Sequence, residues 1–260
     1  MKRKMFLTCV CILLAFAVSA QDKTAFEKHW LVQGIDSLPY RLLLPENYDA
    51  SKKYPLVFFM HGAGERGNDN EAQLVHGAKL FLQADVRKQY PAIVVFPQCS
   101  RQSFWANISY KRDTLGKPLF VFDAAKEPTI AMKLANQLLH EIIQKYPVQK
   151  KKIYIGGLSM GGMGTFDLVA RNPGLFAAAF PICGGGDPST AKKLKKTKWW
   201  VFHGAKDDVV PPAYSQEMVT ALETAKANVK FTLYPNANHN SWDAAFAEPA
   251  LLSWLFAQKK

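Results

Sequence analysis

The sequence predicts a single α/β domain with a mostly parallel sheet, helices on both faces and an antiparallel hairpin near the N-terminal end. Continuous apolar runs recur along the chain, as expected for strands buried on both faces. Segments with a helical repeat of apolar residues separate most of these runs, which indicates parallel strands joined by helical crossovers. A length of 260 residues, 48% of them hydrophobic, suits one such domain better than two.

We interpret residues 1–20 as a signal peptide. Positions 2–4 are basic, positions 5–18 are apolar, and Val18-Ser19-Ala20 fits a small-residue cleavage site. The apolar run is shorter than a membrane span needs, and no later stretch is long and apolar enough to be one. We therefore expect a secreted or periplasmic protein whose mature chain, 21–260, is one domain without an integral membrane segment.

The chain is basic, with a formal net charge of +12, to which a lysine cluster at 192–198 contributes. We interpret this cluster as a solvated surface, and adhesion to an anionic polysaccharide or membrane surface is the alternative. No nucleic-acid-binding motif is present, so we expect no nucleic-acid partner.

The elements are predicted in the following order. Two antiparallel strands, around Trp30–Val32 and Tyr40–Leu44, flank a turn near 34–37. Apolar runs then predict strands at 54–60, 91–96, 152–156, 176–183, 198–203 and 229–234. Helical patterns predict helices from Pro128–Thr129 to the residue before Pro147, and over 160–171, 214–226 and 241–258.

Two connections bear on the shape of any site. The segment from Cys99 to Lys126 is long and weakly patterned, which fits either a loop over a site or a long crossover. The connection from Cys183 to Thr197 is too short to hold a lid domain. We therefore expect an open cleft.

The strongest chemical signal is Gly157-Leu158-Ser159-Met160-Gly161. An apolar strand leads into this motif and a helix-compatible stretch leads out, so Ser159 lies on a strand-to-helix turn with its hydroxyl above the sheet. Small neighbours suit such a tight turn. This context makes Ser159 the candidate nucleophile.

A serine hydroxyl needs a base, and His239 is the candidate among the six histidines. It lies in the loop between the last strand and the last helix, where the chain order Ser…Asp…His places the base. His61 and His203 each end a strand and precede a glycine, so we interpret them as residues that shape turns.

The acid that orients the base should follow a strand between the other two residues. The stretch that begins at His203-Gly204 offers two adjacent carboxylates, Asp207 and Asp208, and spacing alone does not separate them.

Two backbone N–H groups are candidates for stabilising an oxyanion. The first is that of Met160, directly after the nucleophile. The second is expected from the glycine-rich turn His61-Gly62-Ala63-Gly64, with Ala63 preferred and Gly62 as the alternative.

These segments together resemble serine esterases of the α/β-hydrolase superfamily. More narrowly, they are similar to secreted feruloyl and acetyl xylan esterases, to the phospholipase/carboxylesterase group and to dienelactone hydrolase. The resemblance covers nearly all of the mature chain, which implies one α/β-hydrolase catalytic domain over 21–260. It also implies that Asp207, four residues after the His-Gly histidine, is the triad acid.

The remaining candidates are weaker. Trp105 and Trp242 are candidate substrate contacts, because an indole ring can stack on an aromatic acyl group or a sugar. No metal-binding or dinucleotide motif is present, so we expect neither a metal nor a cofactor. Cys99 and Cys183 remain after signal cleavage, and the sequence leaves open a disulfide or two buried thiols.

The expected activity is that of a secreted serine carboxylic ester hydrolase. The resemblance implies substrates that are small esters or acyl groups on extracellular polysaccharides. The alternative is a secreted peptidase similar to prolyl oligopeptidase, and the oligomeric state is left open.

Overall fold

The computed structural model describes residues 23–112, 114, 116 and 118–260, so the predicted signal peptide lies outside the described residues. The ten strands of the described chain are β1 (Glu27–Gln33), β2 (Asp36–Leu43), β3 (Tyr54–Met60), β4 (Ile93–Pro97), β5 (Ile108–Arg112), β6 (Pro118–Phe122), β7 (Val148–Leu158), β8 (Ala178–Ile182), β9 (Lys198–Gly204) and β10 (Val229–Tyr234).

The helices of the described residues are α1 (Ala78–Leu82), α2 (Ala84–Gln89), α3 (Ile130–Lys145), α4 (Met160–Arg171), α5 (Ala191–Leu194), α6 (Ala213–Thr224), α7 (Trp242–Phe246) and α8 (Leu251–Ala257). Short 3₁₀ turns occupy Ala63–Glu65, Ala72–Leu74 and Pro188–Thr190. None of the described helices is long and apolar enough to cross a membrane.

Eight strands form one sheet in the order β1-β2-β4-β3-β7-β8-β9-β10. The pairs β1–β2 and β2–β4 are antiparallel, and the pairs from β4 to β10 are parallel. The predicted fold class is therefore confirmed: a mostly parallel sheet with an antiparallel hairpin at its N-terminal edge.

The side chains of alternate strand residues pack into two apolar layers, one on each face of the sheet. In β3, Leu56 and Phe58 face one layer, which contains the apolar sides of α3, α4 and α6. Val57 and Phe59 face the other, which contains α1, α7 and α8. Burial on both faces is the reason that these strands read as uninterrupted apolar runs in the sequence.

One predicted element is wrong. The single helix predicted over 241–258 is divided into α7 and α8, with Pro249 between them. Proline lacks the N–H that a helix interior needs and clashes with the preceding turn, so the helix ends before it. In the weakly patterned segment after Cys99, where we expected a loop over a site or a long crossover, the structure has the hairpin β5–β6, a separate two-stranded sheet.

The parallel arrangement sets the position of the site. The carboxyl ends of β3, β7, β9 and β10 lie at one edge of the sheet, and in open α/β sheets this is the edge where ligands bind. Ser159 follows β7, Asp207 follows β9 and His239 follows β10.

Candidate active site

Ser159 occupies a strained turn between β7 and α4. Its backbone dihedrals are φ 54° and ψ −120°, a combination that costs a non-glycine residue about 1–3 kcal/mol. The turn is held by hydrogen bonds from the Ser159 N–H to the Ile182 carbonyl, 2.9 Å, and from the Met163 N–H to the Ser159 carbonyl, 3.0 Å. A Cβ at Gly161 would collide with the carbonyl of Met60, so glycine is required there.

The structure brings Ser159, His239 and Asp207 together in a chain of hydrogen bonds. The Ser159 hydroxyl lies 2.9 Å from Nε2 of His239, and Nδ1 of His239 lies 2.8 Å from Oδ2 of Asp207. Because the carboxylate only accepts, Nδ1 donates to it, which leaves Nε2 free to accept the serine proton.

Asp207 is the carboxylate in contact with His239, and Asp208 is exposed. The Oδ1 atom of Asp207 accepts the N–H groups of Val209 and Val210, at 3.0 and 2.9 Å. Burial raises the pKa of the Asp207 carboxyl, but hydrogen bonds from His203, His239 and Val210 outweigh burial and hold this pKa well below its usual range. Asp207 is therefore ionised at neutral pH.

The two predicted oxyanion donors line the same cavity as Ser159. Met160 is the first residue of α4, and Ala63 is the first residue of the 3₁₀ turn after β3. Neither of these turns has a side-chain cap on its leading N–H groups. Gly62 is close as well, since a Cβ at this position would lie 3.6 Å from Cβ of Ser159.

A cavity of about 350 Å³ opens beside Ser159. The hairpin β5–β6 supplies one wall through Ile108, Tyr110, Arg112 and Phe120. This wall was not predicted from the sequence. The alternation of Ile108-Ser109-Tyr110 and the short apolar run Leu119–Phe122 are the signals that could have indicated two strands.

The two tryptophans differ in position. Trp105 is 0% exposed and donates its indole N–H to the His61 carbonyl at 3.1 Å, so its prediction as a substrate contact is wrong. A ring with no exposed surface belongs to the core and supports the turn after β3 from below. Trp242 is half-buried and lies edge-on to His239, with ring centroids 5.4 Å apart. Its role as a substrate contact stays a prediction.

His203 is a member of the site that the sequence analysis assigned to turn formation. Its side chain is fully buried, and its Nε2 atom lies 3.1 Å from the same Oδ2 of Asp207 that bonds His239. The sequence shows that His203 precedes Asp207 by four residues, but this spacing does not show that a ring nitrogen points at the carboxylate.

Both cysteines of the described chain are free and buried, which decides between the two possibilities left open by the sequence. A Cys183 sulfur, an Asp207 oxygen and a His239 nitrogen lie within 4.8 Å of one another, close enough for metal ligands. Metal binding requires a thiolate, and burial raises the pKa of the Cys183 thiol well above its usual range. The three groups therefore suit hydrogen bonding better than metal coordination.

Comparison with known families gives one match that covers most of the chain. The model of the family described as “Putative esterase” matches residues 36–245. Among solved structures, the crystal structure of a thermostable esterase superposes with a TM-score of 0.79 at 33% sequence identity. The superposition covers 91% of this chain and 64% of that one.

Two named relatives are carbohydrate-active proteins. Endo-1,4-beta-xylanase Y of Acetivibrio thermocellus is 23% identical over 238 residues, which cover 80% of this chain and 21% of the xylanase. “Probable feruloyl esterase C” of Aspergillus oryzae is 24% identical over 180 residues, which cover 69% of this chain and 58% of that protein. This chain thus spans only part of the length of either relative.

Proposed function

The chain belongs to the esterase family, and from this premise we propose that it hydrolyses carboxylic ester bonds and that Ser159, His239 and Asp207 carry out the reaction. The observation that supports this assignment is the hydrogen-bonded chain from Ser159 Oγ through His239 to Asp207, at 2.9 and 2.8 Å. These distances are within the reach that proton transfer requires.

Acylation begins when Ser159 Oγ attacks the ester carbonyl carbon while Nε2 of His239 takes the hydroxyl proton. The carbonyl oxygen becomes an oxyanion, which the N–H groups of Met160 and Ala63 stabilise. The intermediate collapses, the C–O bond to the alcohol breaks, and the His239 imidazolium returns its proton to the leaving alkoxide. The products of this half are an acyl-serine and a free alcohol.

Deacylation repeats the sequence with water. His239 Nε2 removes a proton from water, the hydroxide oxygen attacks the acyl carbon, and the acyl–Ser159 bond breaks as the serine oxygen regains the proton. The acid is released. Asp207 remains ionised throughout and stabilises the imidazolium that forms twice per turnover.

The cavity beside Ser159 fits an acyl group with apolar bulk. Its lining includes the side chains of Phe104, Ile108, Tyr110, Phe120 and Met163. We assign to it the acyl part of esters such as feruloyl or acetyl groups on plant or other extracellular polysaccharides. Residues 1–20 are assigned to export as a signal peptide, which would place the mature enzyme with such substrates.

The first test compares purified 21–260 and its Ser159→Ala variant on methyl ferulate, p-nitrophenyl acetate and a prolyl p-nitroanilide. We expect ester hydrolysis without anilide hydrolysis. The variant should lose roughly 10⁵–10⁶-fold in kcat, because the residual rate comes only from the oxyanion donors and binding. Ester turnover by Ser159→Ala at the rate of the parent would overturn the assignment of Ser159 as the nucleophile.

The same panel separates the competing reaction. Anilide hydrolysis as fast as ester hydrolysis would replace the proposed esterase with a peptidase similar to prolyl oligopeptidase. The ratio of the ferulate rate to the acetate rate measures how much an aromatic acyl group gains from the cavity.

A further inference from the structure

His203 is a second histidine in contact with the acidic member of the proposed triad. It lies near the end of β9, and its side chain is 0% exposed. Its Nε2 atom lies 3.1 Å from Oδ2 of Asp207 and 2.8 Å from the Val210 carbonyl. Both neighbours are acceptors, so Nε2 carries one hydrogen and shares it between them.

The other ring nitrogen fixes the orientation of the imidazole. Nδ1 of His203 lies 2.7 Å from Oγ of Ser215, on α6, and this hydroxyl lies 3.0 Å from the Gly184 carbonyl after β8. If the Ser215 hydrogen goes to Gly184, Nδ1 is also protonated; if it goes to Nδ1, the ring is neutral. Nε2 donates towards Asp207 in both states.

The contact completes the hydrogen bonding of Asp207. Oδ1 accepts two backbone N–H groups, from Val209 and Val210, and Oδ2 accepts from His239 and His203. A carboxylate has about four lone-pair positions, so each is occupied by a donor. A carboxylate held in this way cannot rotate away from His239 without breaking other bonds.

We propose that His203 is a positioning residue of the hydrolysis, which clamps Oδ2 of Asp207 between two histidines and so holds the catalytic His239 in its reactive tautomer and direction. The proposal rests on the triad proposed above. His203 does not touch substrate, and its effect reaches the reaction only through Asp207.

Two variants separate positioning from a merely structural role. In His203→Gln the amide nitrogen can approach the position of Nε2 and still donate to Asp207. In His203→Asn the shorter side chain reaches only the position of Nδ1, so Ser215 keeps its partner and Asp207 loses a donor. Both substitutions remove the same ring from the same buried site, so they share the packing cost.

We expect His203→Asn to lower kcat for p-nitrophenyl acetate about 10- to 100-fold with little change in KM, the size of one lost hydrogen bond to a charged group. His203→Gln should restore the donor and retain kcat within about five-fold. Ser215→Ala, which leaves Nε2 untouched, should behave like His203→Gln.

Melting temperatures measured for all variants identify losses caused by unfolding. Equal kcat in folded His203→Asn and His203→Gln would overturn the clamp, while Ser159→Ala remains inactive and the triad stands. If neither variant folds, ¹⁵N-histidine NMR of the parent enzyme decides, because an unprotonated His203 Nε2 at neutral pH would also overturn it. An active Ser159→Ala enzyme would instead reject the triad itself.

Discussion

The same dipeptide, His-Gly, ends two parallel strands of this molecule, and the two copies do different things. His61-Gly62 follows β3, and His203-Gly204 ends β9. Both imidazoles are buried. Among the described residues, the ring of His61 is hydrogen-bonded to backbone: Nδ1 donates to the Gly62 carbonyl at 2.6 Å, and Nε2 accepts the Cys99 N–H at 2.9 Å. His203 instead donates from Nε2 to the carboxylate of Asp207.

The partners give the Nε2 atoms of the two rings opposite roles. The Cys99 N–H makes Nε2 of His61 an acceptor, whereas two acceptors make Nε2 of His203 a donor. What differs is the chain that follows. The turn after Gly204 returns an aspartate to its histidine, while the turn after Gly62 leads into the proposed oxyanion loop. The local His-Gly sequence therefore specifies the turn at the end of each strand. The residues that the following chain brings back to the histidine specify the chemistry of that turn.

The largest expected effect tests the assignment of Asp207 as the acid in the turn after β9. Asp207→Asn should lower kcat about 10⁴-fold, because the amide cannot hold His239 in the tautomer whose Nε2 accepts a proton. The measurement is steady-state hydrolysis of p-nitrophenyl acetate.

Asp208→Asn is the matched control, since this neighbour is exposed and does not contact His239 in the structure. It should retain kcat within about three-fold. A larger loss from Asp208→Asn than from Asp207→Asn would exchange their roles.

Substitution of His61, in the turn after β3, should lower the stability of the protein and leave the rate of hydrolysis almost unchanged. His61→Asn keeps a donor near the Gly62 carbonyl but removes the acceptor of the Cys99 N–H and leaves this buried group unpaired. We expect the free energy of unfolding to fall by about 2–3 kcal/mol, measured by urea denaturation, with kcat of the folded enzyme within about three-fold of the parent. If fully folded His61→Asn lost as much kcat as His203→Asn, the contrast between a structural His61 and a positioning His203 would be removed.

The smallest effect is the pH dependence contributed by His61. Burial lowers the pKa of His61 from 6.5 to about 4, so the unfolded chain binds a proton before the folded one does. Stability from this group is complete above the unfolded pKa and is lost as pH falls from about 6.5 towards 4. Between pH 7 and pH 5 the loss is about 2 kcal/mol.

Urea unfolding at the two pH values tests this in the parent and in His61→Asn. All other residues are the same in both proteins, so the difference between their losses isolates His61. The same loss in both proteins would contradict a neutral buried His61.

Most of the fold was predictable because the sheet is buried on both faces. The predicted bounds of β3, β10 and α4 agree with the structure. Ser159 and His239 were singled out by their places after β7 and β10, and the structure brings them within hydrogen-bonding distance. Asp207 was separated from Asp208 only by family resemblance, since adjacent residues have the same spacing to everything else.

The failures arise where tertiary contacts override or hide a local pattern. Trp105 was a candidate substrate contact because an indole ring can stack on an acyl group or a sugar, yet its ring packs on His61 inside the core. The strands β5 and β6 were missed because the hairpin lies outside the main sheet, β5 is mostly exposed, and the apolar run of β6 is only four residues long, Leu119–Phe122. His203 was underestimated because its partner is defined by a hydrogen bond, and spacing does not reveal where a ring nitrogen points.

The hairpin β5–β6 allows substrate preference to change while the catalytic mechanism is kept. It forms its own sheet and is attached in part by Tyr214, whose hydroxyl accepts the Phe120 N–H at 2.8 Å and whose ring packs on Phe120 and Phe122. Mutations along β5 and β6 can therefore remodel the cavity wall while the strand ends that carry Ser159, Asp207 and His239 stay unchanged. Duplicated copies of such an enzyme can therefore come to prefer different substrates through changes in this one short hairpin.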